Sequence, residues 1–183
     1  NMPYILQESN PHYYFDNLCY IYDSNLFLSP SQYLFIRNIT VLFNALDYSK
    51  FYINKWYDIA KNKNSKRVAM NHNNLELSHI IMSNCSYILN WNHAKIDTPV
   101  MDLYRFFRKN FSYININSLF GVYSSKYQLL PEEVFLLFSH LLLPDKIEIA
   151  SNEINNIKEI YDMYSYLSVV MDFISEYNLK YNK

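Results

Sequence analysis

The sequence predicts a mainly α-helical domain with a small β-hairpin insert near its middle, and three observations predict it. Apolar residues recur at steps of three, four or seven through long stretches at both ends, which gives a helix one greasy face. Serine or threonine stands directly before proline at Ser29-Pro30 and Thr98-Pro99. That pairing opens helices, because a side-chain oxygen caps the first turn and the N–H that proline lacks would be unpaired there anyway. Short apolar runs bounded by polar residues occur convincingly only between Arg67 and Leu89.

Taken in order, residues 1–28 form an entry segment with a short helix near Tyr13 to Tyr22. Ser29-Pro30 starts a helix that runs to about Lys61, with Phe35, Ile39, Leu42, Leu46, Ile53 and Trp56 on its apolar face. Asn62 to Lys66 is a polar break. Val68 to Met70 reads as a strand entering the polar loop His72-Asn73-Asn74-Leu75. His79 to Met82 and Ser86 to Leu89 form a hairpin whose turn is supplied by Asn84 and Ser86 around Cys85. After Asn90-Trp91-Asn92, with Trp91 expected in the core, Thr98-Pro99 opens a helix to about Asn110. Asp102 in its first turn suits the positive helix start. Residues 112–127 make a weakly patterned helix holding the single glycine, Gly121. Pro131 opens another to Leu143, which Pro144 ends, and Glu132, Glu133 and the acids from Glu148 to Glu159 read as solvated faces. Ser151 is expected to cap the last helix, with a stripe of Ile154, Ile157, Ile160, Tyr161, Tyr164, Leu167, Met171 and Ile174.

Composition bounds the function. The 183 residues are 50% hydrophobic, enough for a single domain spanning residues 1–183. Net charge is −1 and no basic stripe is visible, so a nucleic-acid partner gains no electrostatic support. Cys19 and Cys85 lie far apart without a second pair, which fits a reducing interior and neither a disulfide framework nor a zinc spacing. The longest apolar run, Val134 to Leu143, is half the length that a bilayer span needs, so no membrane partner is expected. The reading is a soluble cytoplasmic protein whose aromatic residues, 19 Tyr and 12 Phe, fill the core and leave self-association open. His72, His79, His93 and His140 do not make a metal spacing. A Cys–His–Asn trio of Cys85 with the Asn71 to Asn74 run has no other support.

The segments His72-Asn73-Asn74-Leu75-Glu76-Leu77-Ser78-His79-Ile80-Ile81, Leu89-Asn90-Trp91 and Pro99-Val100-Met101-Asp102-Leu103 resemble three motifs in order. These are the H-G-D-L-x-x-x-N-I-L, I-D-W and P-x-x-D-L segments of the aminoglycoside phosphotransferase and choline kinase superfamily, most closely its CotS-type spore-coat branch. The resemblance implies a protein-kinase-like C-terminal lobe of the aminoglycoside phosphotransferase type, specific in residues 67–108. It places Asn74 where the catalytic Asp stands, His79 where the loop Asn stands and Asn90 where the metal-binding Asp stands. An amide is no general base, and neither amide nor imidazole is a strong magnesium ligand. The resemblance therefore implies an inactive, pseudokinase-like protein with no functional catalytic residue, no metal and no cofactor. His72 and Asp102 match the residues that brace the loop, through an expected imidazole–carboxylate bond.

The family's N-terminal lobe, with its nucleotide-gripping loop and Lys, has no counterpart in the roughly 28 residues before the first long helix, and one glycine makes no phosphate cradle. The resemblance thus implies a binding or scaffold module, with a protein partner or self-association, and an association with spores. Two alternatives differ in class. A divergent kinase would need ATP, magnesium, the missing lobe and Asp97 or Asp102 in place of the lost carboxylates. A Bcl-2-like helical regulator would take a partner helix in an apolar groove, and predicts no hairpin over residues 79–90.

Overall fold

A computed structural model of the chain describes residues 10–181; the opening of the entry segment, residues 1–9, lies outside them. Seven α-helices and four short strands occur among the described residues, and the chain is mainly helical with its β structure confined to the middle. The helices are α1 (Pro11–Asp23), α2 (Pro30–Arg37), α3 (Ile39–Ala60), α4 (Val100–Asn110), α5 (Ile116–Lys126), α6 (Pro131–Leu142) and α7 (Glu153–Tyr181). The strands are β1 (Ala69–Asn71), β2 (Ile80–Met82), β3 (Ser86–Ile88) and β4 (Lys95–Asp97). Residues group into two compact units: one holds the chain through Tyr48 with Leu142–Asp172, the other Ser49–Leu141 with Phe173 onward.

The first unit is built on α1, α2, the first half of α3 and the first two-thirds of α7. Phe15, Leu18 and Tyr22 share one face of α1 at helical spacing, and they meet Phe35, Leu42, Leu46, Ile147 and Ile160 in one buried cluster. Two polar clasps hold this unit. The Glu153 carboxylate accepts from the Ser31 N–H (2.6 Å) and hydroxyl (3.0 Å). The hydroxyls of Tyr14 and Tyr164 donate to the carbonyls of Ile147 (2.7 Å) and Phe35 (2.9 Å). Burial, together with the Glu159 and Glu148 charges, raises the Tyr14 phenol, and its bond to the Ile147 carbonyl offsets only part of that.

The single helix expected from Ser29 to Lys61 is two. Ser29 caps α2 with a full capping box closed by Gln32, but Asn38 then breaks the path. Its side-chain amide donates to the Leu34 carbonyl (2.9 Å) and its N–H turns to Phe35, in the three-residue pattern that tightens a helix end. Asn152, not Ser151, caps α7: its Oδ1 accepts from the N–H groups of Ile154 (2.9 Å) and Asn155 (3.3 Å). The expected stripe on α7 is buried at Ile160, Leu167 and Ile174, whereas Ile154 (76% exposed) and Tyr161 (62%) face water.

The second unit packs α4, α5, α6 and the end of α7 around Phe173, whose ring meets those of Phe107 (6.1 Å), Phe120 (5.1 Å) and Phe138 (5.7 Å) edge-on. The acids at the start of α6 are not a solvated face. Glu132 and Glu133 are buried and pair with Lys63 and Arg67. Arg67 grips Glu133 with two nitrogens, donates to the Gln128 carbonyl (3.0 Å) and lies over the Tyr127 ring (4.3 Å). That grip fixes the chain just before β1. Tyr123, beside the same cluster, has its phenol pushed up to about 12, chiefly by burial and then by Tyr127 and Glu133.

The β structure is two antiparallel pairs. β2 and β3 form the expected hairpin, Ile80 opposite Ile88 and Met82 opposite Ser86, with Cys85 exposed in its turn. A helical regulator without this hairpin is therefore set aside. β1 pairs with β4, Met70 opposite Ile96, so the β structure extends past the Arg67–Leu89 region in which the sequence predicts it. Trp91 is 46% exposed and not core. Both cysteines are free, and no helix among the described residues is long and apolar enough to cross a membrane.

Candidate functional site

The β1–β4 pair brings the end of β1 beside the start of α4. Asn71, buried, donates from its side-chain amide to the Thr98 carbonyl (2.8 Å). Thr98 itself supplies no side-chain cap: Pro99 takes the cap position, and the Thr98 N–H is bound by Asp97 Oδ1 (2.8 Å). The first turn of α4 projects Asp102 towards the loop that follows β1.

Each oxygen of Asp102 accepts one loop N–H, from His72 (2.5 Å) and from Asn73 (2.7 Å). The bond expected between Asp102 and the His72 imidazole is thus replaced by two bonds to the loop backbone. The buried imidazole reaches the other way, and its Nε2 lies 2.6 Å from the Leu89 carbonyl. A carbonyl only accepts, so Nε2 carries the proton, and Nδ1 is left to accept from the Asn74 N–H (3.3 Å). Both ring nitrogens of His72 are therefore used. It ties the loop to the end of β3, and it has no nitrogen left to activate Cys85.

Asn73 and Asn90 both adopt left-handed backbone, φ 66° and 63°. Asn tolerates this better than other residues with a Cβ, so these positions fit their amide as much as their chemistry. Asn90 is exposed and introduces a short 3-10 turn, Trp91–His93. The Trp91 ring stands edge-on to His72 at 5.0 Å, with its N–H on the Ile88 carbonyl (2.8 Å). His79 lies with its ring 5.4 Å from that of His72, and its Nδ1 is buried without a hydrogen-bond partner among the described residues.

Asn74 points to a cation. Lys109 Nζ donates to Asn74 Oδ1 (2.6 Å) and to the Glu76 carboxylate, and Arg105 donates to Asn73 Oδ1. The bond and charge of Lys109 hold Glu76 below the usual carboxylate range. Asp102, Arg105 and Lys109 stand at steps of three and four, so one face of α4 holds the whole loop. Sequence reasoning named Asp102 and passed over Arg105, Lys109 and Glu76; the i, i+3, i+7 spacing was the available signal. Asn110, buried one residue on, accepts from the Leu77 N–H (3.4 Å) and donates to the Phe106 carbonyl (2.8 Å).

The other carboxylate near the loop is Asp97. Burial pushes its pKa up, but the Thr98 N–H and the Lys95 ammonium (3.2 Å) outweigh this, and it stays below the usual range. Behind α4, His140 of α6 lies against the Tyr104 ring (5.3 Å). Burial and the Arg105 charge lower its pKa, and Asp97 offsets part of that.

The donor set does not fit magnesium. Asn74, His79 and Asn90 offer two amides and an imidazole, and the Asn74 amide oxygen already faces an ammonium. A divalent ion there would meet like charge and neutral ligands. Among the described residues no three His, Cys, Asp or Glu side chains gather to hold a metal. No family model, curated protein or solved structure matches the chain.

Proposed function

We propose that this chain is a catalytically inactive, phosphotransferase-like lobe that works as a binding or scaffold module. The observation that carries the reading is the pair of hydrogen bonds that Asp102 accepts from the backbone of His72 and Asn73, beside an Asn74 that faces Lys109. A loop held in this way keeps its shape without ligand. At the same time it presents no free carboxylate to accept a proton from an acceptor hydroxyl, which phosphoryl transfer requires alongside metal-held phosphates. The family and the spore association in this reading rest on the resemblance of residues 67–108 to the spore-coat branch.

The divergent-kinase reading asks Asp97 or Asp102 to stand in. Asp102 already accepts two N–H bonds, and Asp97 is engaged by Thr98 and Lys95. Recruiting either would break the contacts that shape the loop. Thermal melts with ATP and magnesium, with EDTA as control, test the proposal. A ligand at 100 times its Kd adds about 2.7 kcal/mol, several degrees for a chain of this size. The expected result is no shift. A shift abolished by EDTA, or phosphate transfer to any small alcohol or sugar, would overturn the inactive reading and favour the divergent kinase.

A further inference from the structure

The near-zero net charge conceals two strongly and oppositely charged halves. Among the described residues, the unit formed by residues 10–48 and Leu142–Asp172 has nine acidic and three basic residues, a net of −6. The unit formed by Ser49–Leu141 and residues 173–181 has seven acidic and twelve basic described residues, a net of +5. Charge of this size steers encounters between proteins over a Debye length.

Each unit also exposes apolar side chains beside its excess charge. On α1, Asp16, Tyr20 and Asp23 stand at steps of four and three and so share one face; both acids are exposed and Tyr20 is 76% exposed. Just past the helix, Leu26 (89%) and Phe27 (85%) are exposed as well. In the positive unit, Met70 and Ile96 stand opposite each other across the β1–β4 pair, both 70% exposed. Val68 is also exposed, and exposed Lys66 precedes it. Large side chains left in water on both surfaces mark contact sites.

We infer that the occupant of each surface is the other surface of a second copy of this chain. The charges decide it. A partner for the α1 face must be basic and apolar, a partner for the β1–β4 face acidic and apolar, and the chain carries both in nearly equal charge. Two different patches meeting make a heterologous contact, which repeats head to tail. This inference does not rest on the phosphotransferase reading.

Sedimentation velocity of the full chain at 50 and 500 mM salt tests it. We expect concentration-dependent association at low salt, with an apparent Kd weakened about tenfold or more at high salt, where the Debye length falls to a few ångströms. Asp16→Lys with Asp23→Lys should leave a monomer, and so should Lys66→Glu with Met70→Ser. An equimolar mixture of the two variants should form a dimer that grows no further, because each retains the face the other has lost. Every substituted side chain is exposed, and circular dichroism checks folding; Asp16→Asn and Met70→Ser serve as milder replacements. A monomeric parent at both salts, association indifferent to salt, or a mixture that stays monomeric would each overturn the inference.

Discussion

Asp102 has two oxygens and gives one to each of two consecutive loop N–H groups. A carboxylate bonded this way does more than a neutral side chain could, because bonds to a charged acceptor are worth roughly twice neutral ones. Asp102→Ala should cost about 2 kcal/mol, read as a lower urea midpoint, and should speed amide exchange at residues 72–74. Unchanged exchange there would show that the loop holds itself. His140 makes a separate prediction about pH. Its native pKa lies below the ordinary 6.5, so below that value the unfolded chain binds a proton that the native state refuses. Stability should therefore fall as pH drops from 6.5 through the lower native value, and His140→Gln should flatten that step. A second decline should begin near 4.5, where unfolded Glu132 gains a proton while native Glu132, held low by Lys63 against the effect of burial, resists it. A flat melting temperature between pH 7 and 5 in the parent chain would refute the His140 step.

Helix ends decide what was legible at the scale of elements. Ser29-Pro30 was readable because its whole mechanism is local: a hydroxyl, a proline and a glutamine three residues on. Thr98-Pro99 has the same letters without the bond, because α4 starts one residue later and puts Pro99, which has no side-chain acceptor, at the cap position. The hairpin was readable from its two apolar runs, whereas β4 was not, since Lys95-Ile96-Asp97 becomes a strand only through pairing with residues 24 or more positions earlier. The fates of Glu132 and Glu133 were equally non-local, set by Lys63 and Arg67 some 66 to 69 residues away. The loop positions Asn74, His79 and Asn90 were nameable from spacing, but the cations bound to Asn73 and Asn74 are Arg105 and Lys109, from the middle and last turn of α4. The cap of α7 gives the sharpest test. Asn152→Ala should cost about 1 kcal/mol, and Ser151→Ala should stay within about 0.5 kcal/mol of the parent. Equal losses would show that the cap lies elsewhere.

At the scale of the molecule, the two units differ in core and charge, yet two helices belong to both. α3 passes from one unit to the other between Tyr48 and Ser49, and α7 between Asp172 and Phe173, without a break in either helix. Melting one unit alone would leave part of each helix without its packing, and a short helical stretch is marginal by itself in water. The cores differ as well: the first unit relies on the cluster around Phe35, the second on rings converging on Phe173. Separate cores alone would favour two transitions, while shared helices favour one. Continuity should win, because each helix carries buried residues on both sides of the boundary, Leu46 and Tyr52 on α3, Val170 and Phe173 on α7. Calorimetry should give a single peak whose van't Hoff and calorimetric enthalpies agree. Phe173→Ala, which removes the second unit's central ring at a cost of about 3–5 kcal/mol, should lower that one peak as a whole. A second peak split off by the substitution would show that the helices do not couple the units.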